Sequence, residues 1–349
     1  MTEPASITAE ELERYSRQAR FRGVGAAGQE KLRSARVAVI GCGALGSVAV
    51  DLLARGGVGE ITVVDRDFVE ISNLQRQVLF DEADAAAALP KAVAAARAVA
   101  RINSRVTVRP LVADVTHANV EQIVAGAQVV LDGTDYFETR YLVNDACVKL
   151  GLPWIYGGAV GATGMAMAVL PGETPCLRCL FPGLQPAGTL ATCESDGVLG
   201  SIVMLVAAVQ WTEALKILVG DRARLGRGLA TFDVWSCDYQ QTEGFERRPD
   251  CPCCVQRRFE FLEARATSRT TSLCGRNAVQ VSPPRPLRLD LAELGRRLSP
   301  AGAVACNEYL LRLSVGAQEL TVFADGRAIV KGTADLGLAR ALYARYVGA

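Results

Sequence analysis

The sequence predicts an α/β protein in which a doubly wound, mostly parallel sheet has an antiparallel extension, followed by a small α+β module at the C-terminus. Three observations predict this class. Short apolar runs alternate with helical patterns between residues 37 and 156, the strand pattern changes near residue 164, and a polar connector precedes the last part of the chain. Strands that alternate with helices are typical of parallel sheets covered by helices on both faces.

The first elements follow from apolar spacing and from turn residues. Residues 9–34 predict one or two short helices with an arginine-rich face. The apolar run 37–40 ends in glycine, which is typical of a strand buried on both faces. Further along this part we predict helices at 47–56, 90–102 and 140–150, and strands at 60–65, 106–112, 128–131 and 154–156.

The middle of the chain predicts antiparallel strands around one long helix. We expect strands at 165–170 and 230–240, and a helix at 198–218. The apolar stretch around this helix is interrupted at helical spacing by Gln210, Glu213 and Lys216. A helix buried in the core of the protein fits that pattern better than a membrane span.

The last part of the chain indicates a separate module. Residues 255–273 are polar and rich in arginine and threonine. We therefore expect a main domain at 1–255, a linker at 256–274 and a small β-α-β-β-α module at 275–349. The predicted elements of the module are strands at 278–281 and 309–314, a helix at 291–298, a hairpin that turns at Asp325 and Gly326, and a final helix from Leu336.

Charge and composition argue against several classes of function. Lysine and arginine number 38 against 37 aspartate and glutamate residues, which leaves a net charge of +1. A chain with so little excess charge is not expected to bind nucleic acid or a membrane surface. The single histidine, His117, excludes a metal site built from several imidazoles, and we interpret it as a surface residue.

The N-terminus and the cysteines bear on where the protein works. The first 20 residues are polar and lack the apolar core of a signal peptide. We therefore expect a cytoplasmic protein. In that compartment its eleven cysteines would stay reduced, and would bind metal or react instead of forming disulfides.

A glycine loop marks a candidate nucleotide site. Gly41-x-Gly43-x-x-Gly46 follows a predicted buried strand and opens a helix, and Asp65 ends the next strand. In such Rossmann-like units the glycines let backbone amides approach a phosphate, and the carboxylate binds ribose hydroxyls. The alternative is a packing turn. The loop by itself does not distinguish a dinucleotide from ATP.

The segment after Asp65 favours ATP. Asn73, Arg76 and Gln77 follow the ribose-binding strand closely, and Lys91 stands at a predicted helix start. Cationic side chains there would neutralise a triphosphate, which a dehydrogenase does not need. The alternative for Arg76 is a solvated arginine on a charged loop.

Two cysteine pairs indicate a metal site. Cys176-x-x-Cys179 and Cys251-x-x-Cys254 have the spacing with which four thiolates close a tetrahedral Zn²⁺ site. The alternatives are a redox-active pair or buried apolar cysteines.

These motifs, taken in order along residues 9–255, resemble the ThiF/MoeB family of ubiquitin-activating-enzyme-like adenylyltransferases. The resemblance is carried by Arg14-Tyr-Ser-Arg17-Gln18, the glycine loop, residues 72–77, Lys91, Asp132-Gly-Thr-Asp135 and the later cysteines. It implies an enzyme that uses ATP with Mg²⁺, contains Zn²⁺ and pairs as a homodimer. One departure is Tyr136, where the family commonly has asparagine after the aspartate.

The resemblance also implies a role for each matching residue. Gly41, Gly43 and Gly46 would hold the nucleotide, Asp65 the ribose, and Asn73, Arg76, Gln77 and Lys91 the phosphates. Asp135 would bind Mg²⁺, and Arg17 would reach the ATP of the partner subunit. Asp132 is left outside this predicted site because its role could be to end its strand.

Cys193 lies in a polar segment before the long apolar helix. In similar sequences the cysteine at this position is the one proposed to join covalently to the substrate protein. The neighbouring Glu194 and Asp196 would raise its pKa, so a standing thiolate is not indicated. A covalent acceptor and a structural cysteine both remain open.

The resemblance predicts an ATP-dependent adenylyltransferase. It would activate the C-terminal Gly-Gly carboxylate of a ubiquitin-like sulfur-carrier protein as an acyl-adenylate, with release of pyrophosphate. The pathway served, whether thiamine thiazole, molybdopterin or tRNA thiolation, stays open. The alternatives are an NAD-dependent oxidoreductase, which the fold signal alone would allow, and a non-catalytic scaffold that binds a carrier.

Overall fold

The computed structural model describes residues 8–183, 196–242, 244–263, 271–273, 277–283 and 287–348. They separate into two compact units. The first unit comprises the described residues up to 263, and the second unit comprises those from 271 onward.

The first unit begins with three short helices and continues as an alternation of strands and helices. The helices are α1 (Ala9–Arg14), α2 (Ser16–Arg20) and α3 (Gly25–Arg33). The alternating part consists of β1 (Arg36–Ile40), α4 (Ala44–Gly56), β2 (Glu60–Asp65), α5 (Glu82–Ala86), α6 (Lys91–Ile102), β3 (Thr107–Val112), α7 (Val120–Val124), β4 (Val129–Asp132), α8 (Phe137–Leu150) and β5 (Trp154–Val160). The last part consists of β6 (Thr163–Val169), α9 (Leu177–Leu180), α10 (Gly200–Val219), β7 (Leu229–Asp233) and β8 (Asp238–Thr242).

The strands of the first unit form one eight-stranded sheet in the order β3-β2-β1-β4-β5-β6-β7-β8. The first five strands of this order are parallel, and the last three are antiparallel. The predicted fold class, a doubly wound parallel sheet with an antiparallel extension, is thereby confirmed. Strand order reverses between β1 and β4, which is where ligands bind in open sheets of this type.

Register brings three strand ends together at that point. Ile40, the last residue of β1, lies opposite Val64 of β2 on one side and opposite Asp132 of β4 on the other. The carboxyl ends of the three strands therefore lie at one edge of the sheet, where Asp65 ends β2 and where Gly41 and Gly133 follow β1 and β4.

The long apolar helix is α10. By length and composition it could cross a membrane, but half of its most apolar window is buried inside the protein. Ile202, Val203 and Val206 pack with Leu45 and Val48 of α4. The prediction of a helix buried in the core is confirmed.

Several predicted boundaries differ from the structure; for example, α8 begins at Phe137 instead of residue 140, and β5 ends at Val160 instead of residue 156. Residues 230–240, predicted as one strand, form the β7–β8 hairpin, because the Asp233 carboxylate accepts hydrogen bonds from the backbone nitrogens of Trp235 and Ser236 and closes a turn. Helix α4 begins at Ala44, three residues before the predicted start. Its N-cap is Gly43, which gives no polar capping signal.

The second unit is an antiparallel sheet with two helices. Its elements are β9 (Thr271–Leu273), β10 (Ala278–Val281), α11 (Leu291–Leu298), β11 (Ala303–Cys306), β12 (Leu310–Val315), β13 (Gln318–Phe323), β14 (Ala328–Lys331) and α12 (Leu336–Tyr346). The strand order is β11-β12-β13-β14-β10-β9, and one apolar cluster joins this sheet to α11 and α12. Strands β9 and β11, of three and four residues, were not predicted.

Part of the predicted linker packs on the first unit. Phe259 and Phe261 are buried in its core cluster, which also contains residues of β4, α8 and β5. The backbone nitrogen of Phe261 donates to Oδ2 of Asp145 on α8 across 3.0 Å. Two aromatic side chains in a polar segment are what allow it to be buried here.

Candidate functional site

The glycine loop after β1 is packed too closely for larger side chains at two of its three positions. Gly41 has a φ of +86°, and a Cβ added there would lie 2.7 Å from the carbonyl oxygen of Gly133. A Cβ on Gly46 would overlap the carbonyl oxygen of Gly41. Both glycines are therefore required for the loop to lie against the turn after β4.

Gly43 differs from its two neighbours. A Cβ there would meet no atom closer than 3.9 Å, so the space beside it is open. Gly43 is also the N-cap of α4, and no side chain caps that helix. The first amide groups of α4 are thus available to an anion, with the positive end of the helix dipole behind them.

Asp65 is held at the end of β2 by backbone amides. Its Oδ2 accepts a hydrogen bond from the nitrogen of Cys42 at 2.6 Å, and its Oδ1 accepts one from the nitrogen of Asp67 at 2.7 Å. Burial raises the pKa of Asp65, and the positive charge of Lys91 opposes that rise. The carboxylate is therefore fixed in orientation beside the glycine loop.

Lys91 is buried next to this carboxylate. Only 4% of it is exposed, and its Nζ lies 3.5 Å from Oδ2 of Asp67. Its backbone nitrogen also donates to the carbonyl oxygen of Asp67 at 2.9 Å. A lysine held this deeply at the first position of α6 supplies a fixed positive charge to the site.

The segment after β2 carries the other predicted phosphate ligands. Asn73 is buried, and its Oδ1 accepts from the nitrogen of Glu70 at 3.1 Å. Gln77 is 2% exposed, and its Oε1 has no hydrogen-bond partner among the described residues. Arg76 is half-buried and donates from Nη1 to the carbonyl oxygen of Ser72 at 3.0 Å. Asn73 therefore also holds the loop itself, while the Oε1 acceptor of Gln77 has no donor among the described residues.

The loop after β4 contains Asp135, which is exposed, and a buried ion pair that the sequence did not predict joins the two elements on either side of this loop. Oδ2 of Asp132 lies 3.2 Å from Nε of Arg140, and both residues are under 8% exposed. Burial raises the pKa of Asp132, although Arg140 opposes the rise. The available sequence signal was an arginine within the first turn of a mostly apolar helix.

One predicted site residue is not brought to this edge of the sheet by its described contacts, and another lies outside the described residues. Arg17 is exposed on α2, and none of its contacts among the described residues joins it to the glycine loop. Cys193 lies outside the described residues.

The four cysteines of the predicted metal site come together. The Sγ atoms of Cys176, Cys179, Cys251 and Cys254 all lie within 4.8 Å of one another. Cys176 and Cys251 are 3.7 Å apart at sulfur, and Cys179 and Cys254 are 3.5 Å apart. Four buried or nearly buried sulfurs at this separation fit a tetrahedral metal ion.

Asn144 of α8 joins the two halves of the cysteine cluster. Its Oδ1 accepts from the nitrogen of Leu177, in the first cysteine turn, at 2.9 Å. Its Nδ2 donates to Sγ of Cys253, in the second turn, at 3.2 Å. Asn144 is fully buried. Outer contacts of this kind orient the ligands of metal sites.

The sheet edge therefore offers an anion-binding helix end, a fixed carboxylate, a buried lysine and an exposed carboxylate within one region. This combination can bind a phosphorylated nucleotide with a divalent cation. It contains no imidazole, since His117 is the only one in the chain and is exposed. Such a site suits reactions in which charge and position, and not a protein nucleophile, lower the barrier.

Known proteins resemble this chain over most of its length. The sequence pattern that defines the ThiF family matches residues 15–253. The sulfur carrier protein ThiS adenylyltransferase of Bacillus subtilis is 42% identical over 337 residues, which cover 96% of this chain and 99% of that protein. The SAMP-activating enzyme E1 of Haloferax volcanii is also 42% identical, over 258 residues that cover 74% of this chain and 94% of that protein.

Solved structures agree on the fold. The structure of the microcin C7 biosynthetic enzyme MccB in complex with N-formylated MccA matches 72% of this chain and 77% of its own, with a TM-score of 0.62 at 24% identity. At that level of identity the likeness concerns the architecture of the chain.

Proposed function

The chain belongs to the ThiF family, and on that basis we propose that it is an ATP-dependent adenylyltransferase for a ubiquitin-like sulfur-carrier protein. The C-terminal Gly-Gly carboxylate of the carrier would attack the α-phosphorus of ATP. The bond from that phosphorus to the oxygen bridging to the β-phosphate breaks, pyrophosphate leaves, and an acyl-adenylate remains. The step needs in-line positioning and fixed positive charge, and it needs no protein nucleophile.

The described geometry supports a role for each residue at the sheet edge. The open N-terminus of α4 at Gly43 would receive phosphate oxygens, with Gly41 and Gly46 allowing that approach. Asp65, oriented by two backbone amides, would accept hydrogen bonds from the ribose hydroxyls. Arg76 and Lys91 would neutralise phosphate charge, and the amide NH2 groups of Asn73 and Gln77 would donate hydrogen bonds to phosphate oxygens.

Two metals belong to the proposal. Asp135 would bind Mg²⁺, which neutralises phosphate charge when bound with ATP. The cysteine cluster would bind Zn²⁺ with all four thiolates. This leaves no open coordination position, so its role would be structural.

The remaining parts of the proposal rest on the family and on the sequence. The chain would act as a homodimer in the cytoplasm, and Arg17 would reach the ATP bound to the partner subunit. Cys193 would be either a covalent acceptor for the carrier or a structural cysteine. Residues 1–255 would carry out adenylation, and residues 275–349 would have a different function.

One observation favours a ThiS-type carrier among those that the family serves. An alignment covering 96% of this chain must include most of the second unit, and it spans 99% of the ThiS adenylyltransferase. The SAMP-activating enzyme is matched over 94% of its own length by 258 residues, which is about the size of the first unit. We therefore assign the second unit to recognition of a carrier of the ThiS type.

Carrier-dependent exchange of labelled pyrophosphate into ATP tests the proposal. We expect exchange with a ThiS-type carrier, and slower or no exchange with carriers of the molybdopterin and tRNA-thiolation type. Arg76→Ala should lower the exchange rate by about a hundredfold or more, because a phosphate-binding charge acting in the transition state is lost. Arg55→Ala is the matched control, since Arg55 forms an exposed pair with Asp51 on α4.

The outcomes separate the alternatives. Absence of exchange with every carrier would contradict the adenylyltransferase. ATP binding that does not depend on Mg²⁺, together with tight carrier binding, would favour a scaffold. Exchange that is equally fast with all carriers would contradict the assignment of the second unit and leave the reaction itself in place.

A further inference from the structure

Arg140 is a buried arginine near the start of α8, and it contacts the loop that carries Asp135. Its Nη2 donates to the carbonyl oxygens of Thr134 at 2.6 Å and Gly157 at 3.2 Å. Its Nε lies 3.2 Å from Oδ2 of Asp132. One guanidinium group thus joins the end of β4, the peptide immediately before Asp135, and β5.

Aromatic rings fix the plane of this guanidinium. Its central carbon lies 5.2 Å from the ring centre of Phe137 and 5.4 Å from that of Tyr156. Removing an arginine from water costs several kcal/mol, and an apolar side chain could fill the same space without that cost. What the guanidinium group adds is a planar set of N–H donors in fixed directions, which can bind several oxygen atoms at once.

The other side of the loop lies against the glycine loop. The nitrogen of Gly133 donates to the carbonyl oxygen of Ile40 at 2.8 Å, and the Gly133 carbonyl lies directly against Gly41. The Asp132 carboxylate also accepts from the nitrogen and the hydroxyl of Thr134, at 2.9 and 2.7 Å. The loop is therefore enclosed between the glycine loop and Arg140.

We propose that Arg140 is a positioning residue for adenylation. By holding the Thr134 carbonyl it fixes the peptide that leads into Asp135, and so orients that carboxylate toward the Mg²⁺ of MgATP. Arg140 acts through Asp135 and makes no contact with the nucleotide in this role. The inference rests on the proposed function, because it requires that Asp135 bind Mg²⁺.

Arg140→Lys tests the inference, because lysine keeps a positive charge opposite Asp132 but lacks the planar set of donors of the guanidinium group. The measurement is the Mg²⁺ concentration at which ATP binding is half-maximal, determined by calorimetry on the full chain without carrier. We expect this concentration to rise about tenfold or more, since small displacements of a ligand group reduce its contribution strongly. A purely structural role would lower the Tm and leave the Mg²⁺ dependence at the wild-type value, which would overturn the inference.

Arg327→Lys is the matched control. Arg327 is 4% exposed, its Nε lies 3.0 Å from Oδ2 of Asp325, and its guanidinium lies 4.3 Å from the ring centre of Phe323. It is therefore a buried arginine with a carboxylate partner and an aromatic neighbour, as Arg140 is, although Asp325 is 37% exposed, and it belongs to the second unit. Its replacement should lower the Tm without changing the Mg²⁺ dependence.

Asp135→Asn separates this inference from the proposed function. If the Mg²⁺ dependence is unchanged in Asp135→Asn, the role of Asp135 fails and the inference fails with it. If it changes in Asp135→Asn but not in Arg140→Lys, only the role of Arg140 is contradicted.

Should Arg140→Lys not fold, the double variant Asp132→Asn with Arg140→Gln removes both buried charges and keeps polar side chains. The same rise in the Mg²⁺ requirement is expected. A wild-type value in the double variant would overturn the role of Arg140.

Discussion

The backbone nitrogen of Cys42 donates a hydrogen bond to Oδ2 of Asp65 across 2.6 Å. This bond joins the glycine loop to the carboxylate at the end of β2. Because the other oxygen of Asp65 accepts from the nitrogen of Asp67, the carboxylate is oriented before a nucleotide arrives. Groups that are fixed in advance lose little conformational entropy when they bind a ligand.

Asp65→Asn should weaken ATP binding by about tenfold or more, because an amide group would replace one of two acceptor oxygens and face a backbone donor. The fold should be retained, since the side chains have the same shape. Calorimetric titration with MgATP measures the effect. Asp51→Asn on the exposed face of α4 is the control, and equal affinities in the two variants would contradict the role of Asp65.

Gly43→Ala should affect ATP binding, whereas Gly46→Ala should affect the stability of the protein. The methyl group at position 43 enters open space, so we expect a folded protein with wild-type Tm in which ATP binding falls by about tenfold or more, since the methyl occupies the phosphate position. At position 46 the methyl overlaps the Gly41 carbonyl oxygen, so the protein itself should be destabilised by several kcal/mol. Thermal unfolding and ATP titration together measure this, and ATP binding that survives Gly43→Ala would place the phosphates elsewhere.

Cys176→Ser should remove the bound metal. Metal analysis of the wild-type protein should find about one Zn²⁺ per chain, and the variant should contain far less and unfold at a lower temperature. Cys237→Ser is the control, because Cys237 is exposed in the β7–β8 turn. A full complement of metal in Cys176→Ser would show that the four sulfurs do not form the site.

Glu11 makes the stability of the first helices depend on pH. Its Oε2 accepts from the nitrogen of Thr8 at 2.8 Å, and this bond, with help from Arg105 and Arg33, lowers the pKa of Glu11 below its ordinary 4.5. The ionised form is thus favoured in the folded state. Its contribution is fully present above about pH 4.5, the ordinary value for an unfolded chain, and is lost as the pH falls through the lowered value.

Glu11→Gln should therefore lower the free energy of unfolding by about 1 kcal/mol at pH 7, as loss of a helix cap does. The difference from wild type should shrink at pH 4. Denaturant unfolding at both values measures it, with the exposed Glu13→Gln on the same helix as control. A difference that does not change with pH would mean that the charge of Glu11 has no part in it.

Local patterns in the sequence predicted the sheet edge well. The run before Gly41 and the run before Asp65 are short and apolar, so both are readable as buried strands, and parallel strands bring their carboxyl ends to the same edge. The four cysteines were found because their paired spacing is itself the signature of a metal site.

Contacts between distant segments were not predictable in the same way. The Arg140–Asp132 pair depends on where α8 starts relative to β4, and on the Gly157 carbonyl of another strand. The β7–β8 hairpin depends on the side chain of Asp233, which closes the turn. The hydrophobic periodicity of the sequence does not indicate such a contact. Asn144 has no spacing rule that links it to its partners Leu177 and Cys253, which lie 33 and 109 positions away along the chain.

Helix α8 presents Arg140 to the nucleotide loop and, one turn later, Asn144 to both cysteine turns. Both sites therefore contact the same helix. Local unfolding of α8 would release both of them as one cooperative unit. We therefore expect the amide protons of the 132–135 loop and of the cysteine turns to exchange with solvent at a common rate. Removal of the metal should accelerate amide exchange in the 132–135 loop and in the cysteine turns by the same factor. Acceleration confined to the cysteine turns would mean that α8 does not couple the two sites.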